Sequence, residues 1–380
     1  MVEIKEVSTA ADIRDFIKFP LKLYRNCPYF VPLLYGDEKK LLKSGGCTED
    51  VESVFYLARR DGKVVGRIQG LVQKQYNRAH DTKKARFTRF DCIEDAEVSA
   101  ALFAAVERWA IKQGMSEICG PLGANDLDRE GLLVEGFEEL STFEEQYNYA
   151  YYGGLIEQAG FVKDVDWLEF ELRRPDKRNE MLARVAQRTL EINKLHVADT
   201  TLSKRAYIEK YRDGFFACLD ECYRDLYGTV EISQKVQDEL VAQFMMLINK
   251  EFLVFICDEQ ENVVAFGLCF PGFGKALQKS GGRLTPAALW RLLRTVKKPR
   301  TVDLGLVAVL PRYQMTGLNA VIVNNLLEAM EQGRIETCET NLNLETNTAV
   351  MAQWKYFNAR QHKRRRSYIK KLNNQEKDNA

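Results

Sequence analysis

The chain has 380 residues, of which 46% are hydrophobic and 29% charged, with Lys+Arg 55 against Asp+Glu 54. This length fits two domains of about 150–200 residues, and there are enough apolar side chains to build a core in each. A formal net charge of +1 gives no long-range field that would attract nucleic acid or an anionic membrane, so neither is expected as a partner.

The N-terminus and the spacing of cysteines and histidines bear on secretion, membrane insertion and metal binding. The opening segment, MVEIKEVSTAADIRDF, carries acidic and polar residues where a signal peptide needs a basic start and an apolar run. No stretch approaches about 18 uninterrupted apolar residues, the length of a membrane-spanning helix. The nine cysteines and three histidines lack metal-site spacings, so we expect reduced thiols, no metal and a cytoplasmic location.

The first half alternates strands and helices. It begins with a strand at residues 4–7 and a helix capped by Thr9 or Asp12. Asp61-Gly62 predicts the type I′ turn of a β-hairpin. The other predicted elements are a helix at 37–42, a strand at 85–93, a helix at 96–114, a strand at 116–121, a loop at 123–137, a helix at 151–161 and a strand pair ending near 172.

A charged, proline-containing segment at residues 173–178 marks a domain boundary. We predict domains at 1–175 and 176–372 and a disordered tail at 373–380. The second half is predicted to contain helices at 179–193 and 204–249, a hairpin at 252–270, a strand at 301–311, a helix at 317–333, a strand at 337–344, a helix at 348–356 and a basic strand at 364–371. The shared element order predicts a structural repeat.

The strand VDLGLVAVLP at residues 302–311 and the turn after it carry the main functional signal. A buried strand, a proline, a glycine-containing turn and a helix start follow one another, which points several backbone N–H groups in one direction. Those amides and the positive end of the helix dipole suit a pyrophosphate.

This stretch resembles the acyl-CoA-binding segment of the GNAT acyltransferase superfamily. The family pattern is a strand ending in V-x-P, then Q/R-x-x-G-x-G/A, then a helix. Here it reads Val309-Leu310-Pro311 and Gln314-Met315-Thr316-Gly317-Leu318-Asn319. The match departs at Asn319, where the family has Gly or Ala. The resemblance implies an α/β chain with mixed α+β sheets, two GNAT-like domains in tandem, and an acyl-CoA pyrophosphate held by residues 314–319. A loop retained only for packing is the alternative.

The later segment LNLETNTAVMAQWKYF, residues 342–357, resembles the family's strand, Asn-containing turn and Tyr-bearing helix. This implies Asn347 near the cofactor and Tyr356 as the proton donor to the leaving CoA thiolate. Strand alternation predicts one face, either a solvated edge or the wall of a polar substrate cleft, that carries Glu339, Asn341, Asn343 and Glu345.

The implied reaction is attack of an amine on the thioester carbonyl. An alkyl amine has a pKa of about 10.4 and is mostly protonated at neutral pH, so a nearby carboxylate helps to remove the proton. Glu345 and Glu339 are our candidates. The strand splays from its neighbour in GNAT folds, which implies that the backbone N–H groups around Ala308 and Val309 hold the oxyanion.

The first half has no glycine loop. Acidic residues stand at the corresponding helix start and would repel a pyrophosphate: Glu94, Asp95 and Glu97. We therefore predict one acyl-CoA per chain, bound by the second half. Asn148, Tyr151-Tyr152 and the segment LIEQAGF still resemble the end of a GNAT domain.

The loop DREGLLVEGF, residues 128–137, resembles a signature of uncharacterised bacterial tandem GNAT-like proteins. Its carboxylates and one just before it either line a cleft for a cationic acceptor or form a solvated acidic loop; they are Asp126, Asp128, Glu130 and Glu135.

Two further segments have open roles. The insert at 271–300 is either a helical flap beside the substrate cleft or a surface excursion. The basic run HKRRRSYIKK, residues 362–371, would place Arg364 and Arg366 on one face of a strand. This basic run is either a solvated strand or a contact for the 3′-phosphate of CoA.

We predict an acyl-CoA-dependent N-acyltransferase, of the N-acetyltransferase kind, acting on a primary amine of a small molecule or peptide. Acetyl-CoA or another acyl-CoA is the expected co-substrate. The alternatives are a non-catalytic binding or scaffold protein with the same fold, and an aminoacyl transferase that uses aminoacyl-tRNA and would bind RNA. A homodimer is left open.

Overall fold

The computed structural model describes residues 1–125, 127–177, 179–333 and 335–373. They group into two compact units. Unit 1 combines Met1–Leu168, Gly274–Ala288 and the described residues from Lys363 onward, and unit 2 combines Glu169–Phe273 and Leu289–His362. The units are therefore not consecutive halves of the chain. The sequence-based domain boundary at residue 175 stays a prediction, and the tail predicted from 373 lies, from 374 onward, outside the described residues.

The elements of the first part of the chain are, in order, β1 (Glu3–Glu6), α1 (Ala10–Leu23), α2 (Tyr35–Lys43), β2 (Val51–Arg60), β3 (Lys63–Gln73), α3 (Lys74–Ala79), β4 (Lys84–Cys92), α4 (Ala96–Lys112), β5 (Glu117–Gly120), β6 (Leu132–Glu135), α5 (Tyr151–Gln158) and β7 (Val162–Arg173). Thr9 is the N-cap of α1, and Asp12 completes its capping box. The predicted hairpin turn is confirmed, since Asp61 and Gly62 both have positive φ.

The elements that follow are α6 (Glu180–Asn193), β8 (His196–Val197), α7 (Lys204–Tyr223), α8 (Gln234–Phe244), β9 (Leu253–Cys257), β10 (Val263–Pro271), α9 (Gly274–Gln278), α10 (Pro286–Lys297), β11 (Thr301–Val309), α11 (Leu318–Gly333), β12 (Thr337–Thr340), β13 (Asn343–Leu344), α12 (Thr348–Met351) and β14 (Asn358–Lys371). Three 3₁₀ turns occur at Lys250–Phe252, Pro311–Tyr313 and Ala352–Tyr356.

In unit 1, strands β1 to β5 lie side by side in sequence order and are followed by the C-terminal strand β14. The β4–β5 pair is parallel, whereas β1–β2, β2–β3, β3–β4 and β5–β14 are antiparallel. Helix α4 lies close to β3 because two glycines leave room for it. A Cβ on Gly66 would lie 2.8 Å from Leu102, and one on Gly70 would lie 2.7 Å from Val106. This contact belongs to the apolar core of the unit.

In unit 2, strands β8 to β12 are also adjacent in sequence order, and residues 169–173 of β7 follow them. The β11–β12 pair is parallel, and the other pairs are antiparallel. Helix α11 lies against β10, where a Cβ on Gly267 would lie 2.8 Å from Ile322. In both units, a glycine in the third strand thus admits the helix that connects the fourth and fifth strands.

The two units repeat one arrangement, which confirms the predicted repeat and the mixed α/β class. Each has five strands in sequence order with a parallel fourth and fifth pair, and a helix between those two strands in the chain. Each fourth strand also carries a register shift. In unit 1 it lies near Arg89, which has φ 49°, and in unit 2 it lies beside Gly305. Such bulges bend a strand locally.

The basic run at 362–371 is not a solvated strand, and that prediction is wrong. Strand β14 pairs with β5 and β6 in unit 1. Lys363 and Arg365 are buried, and both lie within ion-pair distance of the buried Glu145, at 3.3 and 3.4 Å. Arg364 and Arg366 share Asp166. Because a lone buried charge is costly, these carboxylates are what allow a basic strand inside the sheet.

All nine cysteines are free thiols. No three His, Cys, Asp or Glu side chains of the described residues are grouped so that they could hold a metal ion. Within the same ranges, no helix is long and apolar enough to cross a membrane.

Candidate functional site

Strands β11 and β12 of unit 2 separate partway along their length. Their parallel pairing runs from Thr301 opposite Thr337 to Leu304 opposite Thr340 and stops there. Strand β11 continues to Val309 in contact with β10. The edge of β11 beyond Leu304 therefore borders a gap rather than a strand, as the sequence resemblance implied.

Side chains form hydrogen bonds with the backbone groups of β11 that face this gap. The Tyr223 hydroxyl, at the end of α7, donates to Val307 O at 3.1 Å, and Val307 N donates to that hydroxyl at 3.4 Å. Gln314 Nε2 donates to Val309 O at 3.1 Å. A ligand that pairs with the β11 edge as an added strand would therefore compete with Tyr223.

The predicted oxyanion donor Ala308 needs a correction. Ala308 lies opposite Phe266 in the antiparallel register with β10, whereas its neighbour Val307 bonds on the gap side. Alternate residues of a strand direct their backbone groups to opposite neighbours. The gap-facing amides are therefore those of Val307 and Val309, and Val309 is the predicted donor that the geometry retains.

Cys222 lies beside this edge and was not singled out by the sequence. Its Sγ lies 4.0 Å from Cys218 Sγ. The hydrogen bond with Cys218, together with a smaller contribution from the Val309 N–H, holds the pKa of the Cys222 thiol below its usual value. The only sequence signal was the helical i, i+4 spacing of the two cysteines, which by itself indicates no function.

The turn after β11 has the backbone geometry that the motif predicted. A 3₁₀ turn at Pro311–Tyr313 is followed by Met315 with φ 65° and Gly317 with φ 92°, and α11 begins at Leu318. Within the described ranges, the amides of Gly317, Leu318 and Asn319 donate to no protein acceptor. Free amides at a helix start suit a phosphate. Asn319 is exposed there.

Gly317 is also required for close packing, which its position in the motif does not show. A Cβ on Gly317 would lie 2.9 Å from Thr189 Oγ1 and 3.7 Å from Val185 Cγ1, both on α6. The glycine thus allows the turn to approach α6 in addition to permitting a positive φ. A large side chain at this position would disturb α6 as well as the turn.

The predicted continuous strand at 337–344 is wrong. Strand β12 ends at Thr340, and β13 resumes at Asn343 and pairs with β7. Asn343 is buried and donates to Thr340 Oγ1 at 3.0 Å and to Asn341 O at 2.7 Å. Because the break at Asn341 interrupts the period-two alternation, Glu339 and Asn343 do not belong to one strand face.

The remaining predicted site residues follow in order along unit 2. Glu339 Oε2 lies 3.4 Å from Nε2 of the buried His362. Glu345 is half-buried in the turn after β13. Asn347 caps α12, since its side chain accepts a hydrogen bond from Val350 N at 3.3 Å. Tyr356 is half-buried, and the ring of this residue lies 5.2 Å from Lys355 Nζ. The catalytic and cofactor roles assigned to these residues stay predictions.

The corresponding place in unit 1 is filled by the chain itself. The parallel β4–β5 pairing ends at Arg86 opposite Cys119. Beyond it, Leu122 N donates to Phe87 O at 2.9 Å, and a Cβ on Gly120 would lie 2.3 Å from that same oxygen. Among the described residues, the edge of β4 at Phe87 is therefore already occupied by the chain.

The start of α4 in unit 1 is also occupied. Asp95 is the N-cap and accepts a hydrogen bond from Val98 N at 3.1 Å. Arg60 pairs with Asp95 at 2.6 Å and with Glu97 at 2.8 Å, which the sequence did not indicate. Asp95 and Glu97 therefore belong to a helix cap and its ion pairs, at the position where unit 2 has free amides.

The acidic loop of unit 1 is not uniformly solvated, so that interpretation is wrong. Glu130 is buried, Asp128 accepts a hydrogen bond from Ala124 N at 2.8 Å, and Glu135 pairs with Arg364 at 3.0 Å. Asp126 lies outside the described residues. A cleft for a cationic acceptor stays a prediction.

Sequence reasoning missed Glu144. Burial, reinforced by Glu145, raises the pKa of the Glu144 carboxyl to about 8. A carboxyl that titrates near neutral pH is a candidate for proton transfer. Consecutive glutamates are common on protein surfaces, so the sequence gave no reason to single them out.

The arrangement in each unit is that of the GNAT fold, and the chain contains it twice in tandem. No family model matches the chain. The solved structure of a tandem GNAT protein from the clavulanic acid biosynthesis pathway superposes with a TM-score of 0.56 at 11% identity, covering 98% of this chain and 99% of that one. The resemblance stated from the sequence is thus confirmed at the level of the fold.

Two curated proteins are similar over most of the chain. Protein YghO of Escherichia coli (strain K12) is 26% identical over 371 residues, which are 95% of this chain and 93% of YghO. The bacterial ceramide synthase of Caulobacter vibrioides (strain NA1000 / CB15N) is 24% identical over 317 residues, which are 81% of this chain and 80% of that protein.

Proposed function

We propose that the protein is an acyl-CoA-dependent N-acyltransferase acting on a primary amine, with the acyl-CoA bound by unit 2. One observation carries the proposal: the gap beside β11 leads directly into the turn at Met315 and Gly317 and the start of α11. A strand edge and a set of free helix-start amides thus follow one another along the chain, as a long amide-containing ligand with a pyrophosphate requires.

In the proposed complex, the amide-bearing arm of CoA pairs with the β11 edge at Val307, and the thioester carbonyl accepts a hydrogen bond from Val309 N. The pyrophosphate lies against the amides of Gly317, Leu318 and Asn319. Gln314 remains bonded to Val309 O and holds the turn against the end of β11. In the free protein the Val309 N–H contacts the Cys222 thiol. The carbonyl takes the place of that sulfur, and the same N–H stabilises an oxyanion that develops on the carbonyl.

The amine nitrogen attacks the thioester carbon, the C–S bond breaks, the nitrogen loses a proton and the thiolate gains one. Removing a proton from an alkyl ammonium at neutral pH costs about 4.6 kcal/mol, corresponding to about 3.4 pKa units, so a base assists. Glu339 and Glu345 remain the proposed bases, and Tyr356 the proposed donor to the thiolate.

The proposed acceptor is an amine carried by a long-chain molecule. The support is the similarity to a bacterial ceramide synthase. A ceramide contains an amide formed between a fatty acyl group and a long-chain amino alcohol, which is the bond that N-acyl transfer makes. The acyl group in this proposal is correspondingly long, with acetyl-CoA as the short alternative.

The proposal is tested by incubating the purified chain with palmitoyl-CoA or acetyl-CoA and a panel of primary amines that includes a long-chain amino alcohol and a peptide. Release of free CoA thiol and the mass of the amide product are measured together. We expect Tyr356→Phe to retain CoA binding and to lose about 10²–10⁴-fold in turnover. Tyr313→Phe is the control, because it removes a tyrosine hydroxyl from the 3₁₀ turn at Pro311–Tyr313 instead of the one at Ala352–Tyr356, and it should keep wild-type turnover.

Calorimetric titration with CoA distinguishes the remaining outcomes. We expect one CoA per chain, because the gap and the helix start are filled in unit 1. Two sites per chain would contradict the assignment to unit 2. CoA binding without turnover on any amine would favour a non-catalytic binding protein, and absence of CoA binding would reject the proposal.

A further inference from the structure

Helix α10 exposes large apolar side chains in the part that belongs to unit 2. Trp290 is 61% exposed, Leu293 40% and Leu289 36%. Leu293 lies three positions after Trp290 and four after Leu289, so it shares a face of the helix with both. Leu292, only 3% exposed, is turned away from that face. A helix that buries one side and presents tryptophan and leucine on the other has an unpartnered apolar face.

The charged residues of α10 and of the segment around it in the sequence are all basic. Residues 271–300 contain eight lysines and arginines and no aspartate or glutamate. Arg294 and Lys297 are exposed at the end of α10, and Lys298, directly after the helix, is exposed as well. The Arg294 guanidinium lies 5.5 Å from the centroid of the Trp290 ring, so cation and aromatic ring are adjacent. We call Leu289, Trp290, Leu293, Arg294, Lys297 and Lys298 the α10 surface.

Helix α6 provides a comparison in the same unit. It also exposes apolar side chains, Met181 at 64% and Ile192 at 67%. Its cations, however, are accompanied by acids, as in the contact of Arg184 with Glu180 at 3.4 Å. Exposed apolar side chains alone therefore do not distinguish α10. The combination of apolar and exclusively basic side chains does.

We propose that the α10 surface docks on an anionic phospholipid bilayer, with the helix lying in the plane of the headgroups. Trp290 and Leu293 enter the boundary of the acyl chains, while Arg294, Lys297 and Lys298 contact lipid phosphates. This departs from the expectation of no membrane partner, which rested on the net charge of +1. A total charge averages over the chain and conceals a local basic segment. The inference does not depend on the proposed enzymatic activity.

Co-sedimentation of the full chain with vesicles tests the proposal. We expect binding to vesicles of phosphatidylcholine mixed equally with phosphatidylglycerol, little binding to phosphatidylcholine alone, and release at high salt. Trp290 emission should shift to shorter wavelength on binding. Of the other three tryptophans, Trp167 and Trp354 are buried and Trp109 packs half-buried against the core of unit 1. Trp290→Phe should therefore bind but lose most of that shift.

Paired variants separate the two contributions. Lys297→Gln with Lys298→Gln should weaken partitioning about thirtyfold, at about fivefold for each charge. Trp290→Ser with Leu293→Ser should weaken it by at least about tenfold. The matched control, Met181→Ser with Ile192→Ser on α6, should bind like the wild type. Circular dichroism checks that each variant is folded.

Three results would overturn the proposal. One is equal binding to both kinds of vesicle or to neither. Another is unchanged partitioning of both α10 variants. The third is a dimer, seen by light scattering, that the Trp290→Ser and Leu293→Ser changes convert to a monomer, because the occupant of the α10 surface would then be a second copy of the chain.

Discussion

Replacing Tyr223 by phenylalanine should strengthen CoA binding if the β11 edge is the binding site. In the free protein the Tyr223 hydroxyl bonds to Val307, and the proposed ligand must break these contacts before it pairs with the strand. The phenylalanine variant has no hydroxyl to displace. Loss of a hydroxyl that contacts the site therefore improves the affinity for CoA, which is the reverse of the usual effect.

The size of the effect follows from the two distances. The bond to Val307 O, at 3.1 Å, is slightly long for a hydroxyl donor, and the bond from Val307 N, at 3.4 Å, is weak. A net contribution of about 0.5–1 kcal/mol is therefore appropriate, from the lower part of the range for protein hydrogen bonds. This corresponds to about a two- to fivefold lower Kd for CoA.

Isothermal titration with CoA measures the effect, with Tyr207→Phe as the control. Tyr207 lies on the same helix, and its hydroxyl donates to the backbone oxygen of Leu253 at 3.4 Å, on another strand. We expect the control to leave Kd unchanged. Weaker binding by Tyr223→Phe would mean that the hydroxyl contacts the bound ligand, and an unchanged Kd would place CoA away from Val307. Either result refutes the reasoning.

Three further predictions concern stability. Asp91→Asn should lower the free energy of unfolding, measured with urea, by about 3 kcal/mol. The variant leaves the buried Arg67 without the carboxylate that pairs with it at 2.8 Å in the native protein. A loss below about 1 kcal/mol would contradict this. Gly317→Ala should lower the free energy of unfolding by about 1–2 kcal/mol because residue 317 has a positive φ, and the added Cβ would also crowd Thr189. An unchanged thermal unfolding temperature would contradict both the backbone strain and the crowding. The folded-state pKa of Glu144, about 8, is above its unfolded value, so this group should make stability fall as pH rises from about 4.5 to 8; Glu144→Gln should reduce that slope, and an identical slope would show that another group causes it.

The sequence by itself determined the local elements and the class of fold. The cap at Thr9 and the turn at Asp61-Gly62 follow from side-chain hydrogen bonding and backbone preference within a few residues. The turn at Gln314 and Gly317 was recognised for the same reason, because a positive φ and a helix start are encoded in adjacent residues. These features are short-range, so one stretch of sequence contains all the information they need.

The tertiary structure decided which residues surround those elements. Strand β14 belongs to the sheet of unit 1 although it lies at the end of the chain, and only that placement explains why Lys363 and Arg365 are buried beside Glu145. Tyr223 reaches Val307 from a helix that the sequence predicted only as part of the helical stretch at residues 204–249. Pairing between distant segments depends on the summed burial and hydrogen bonding of whole strands, which no local pattern expresses.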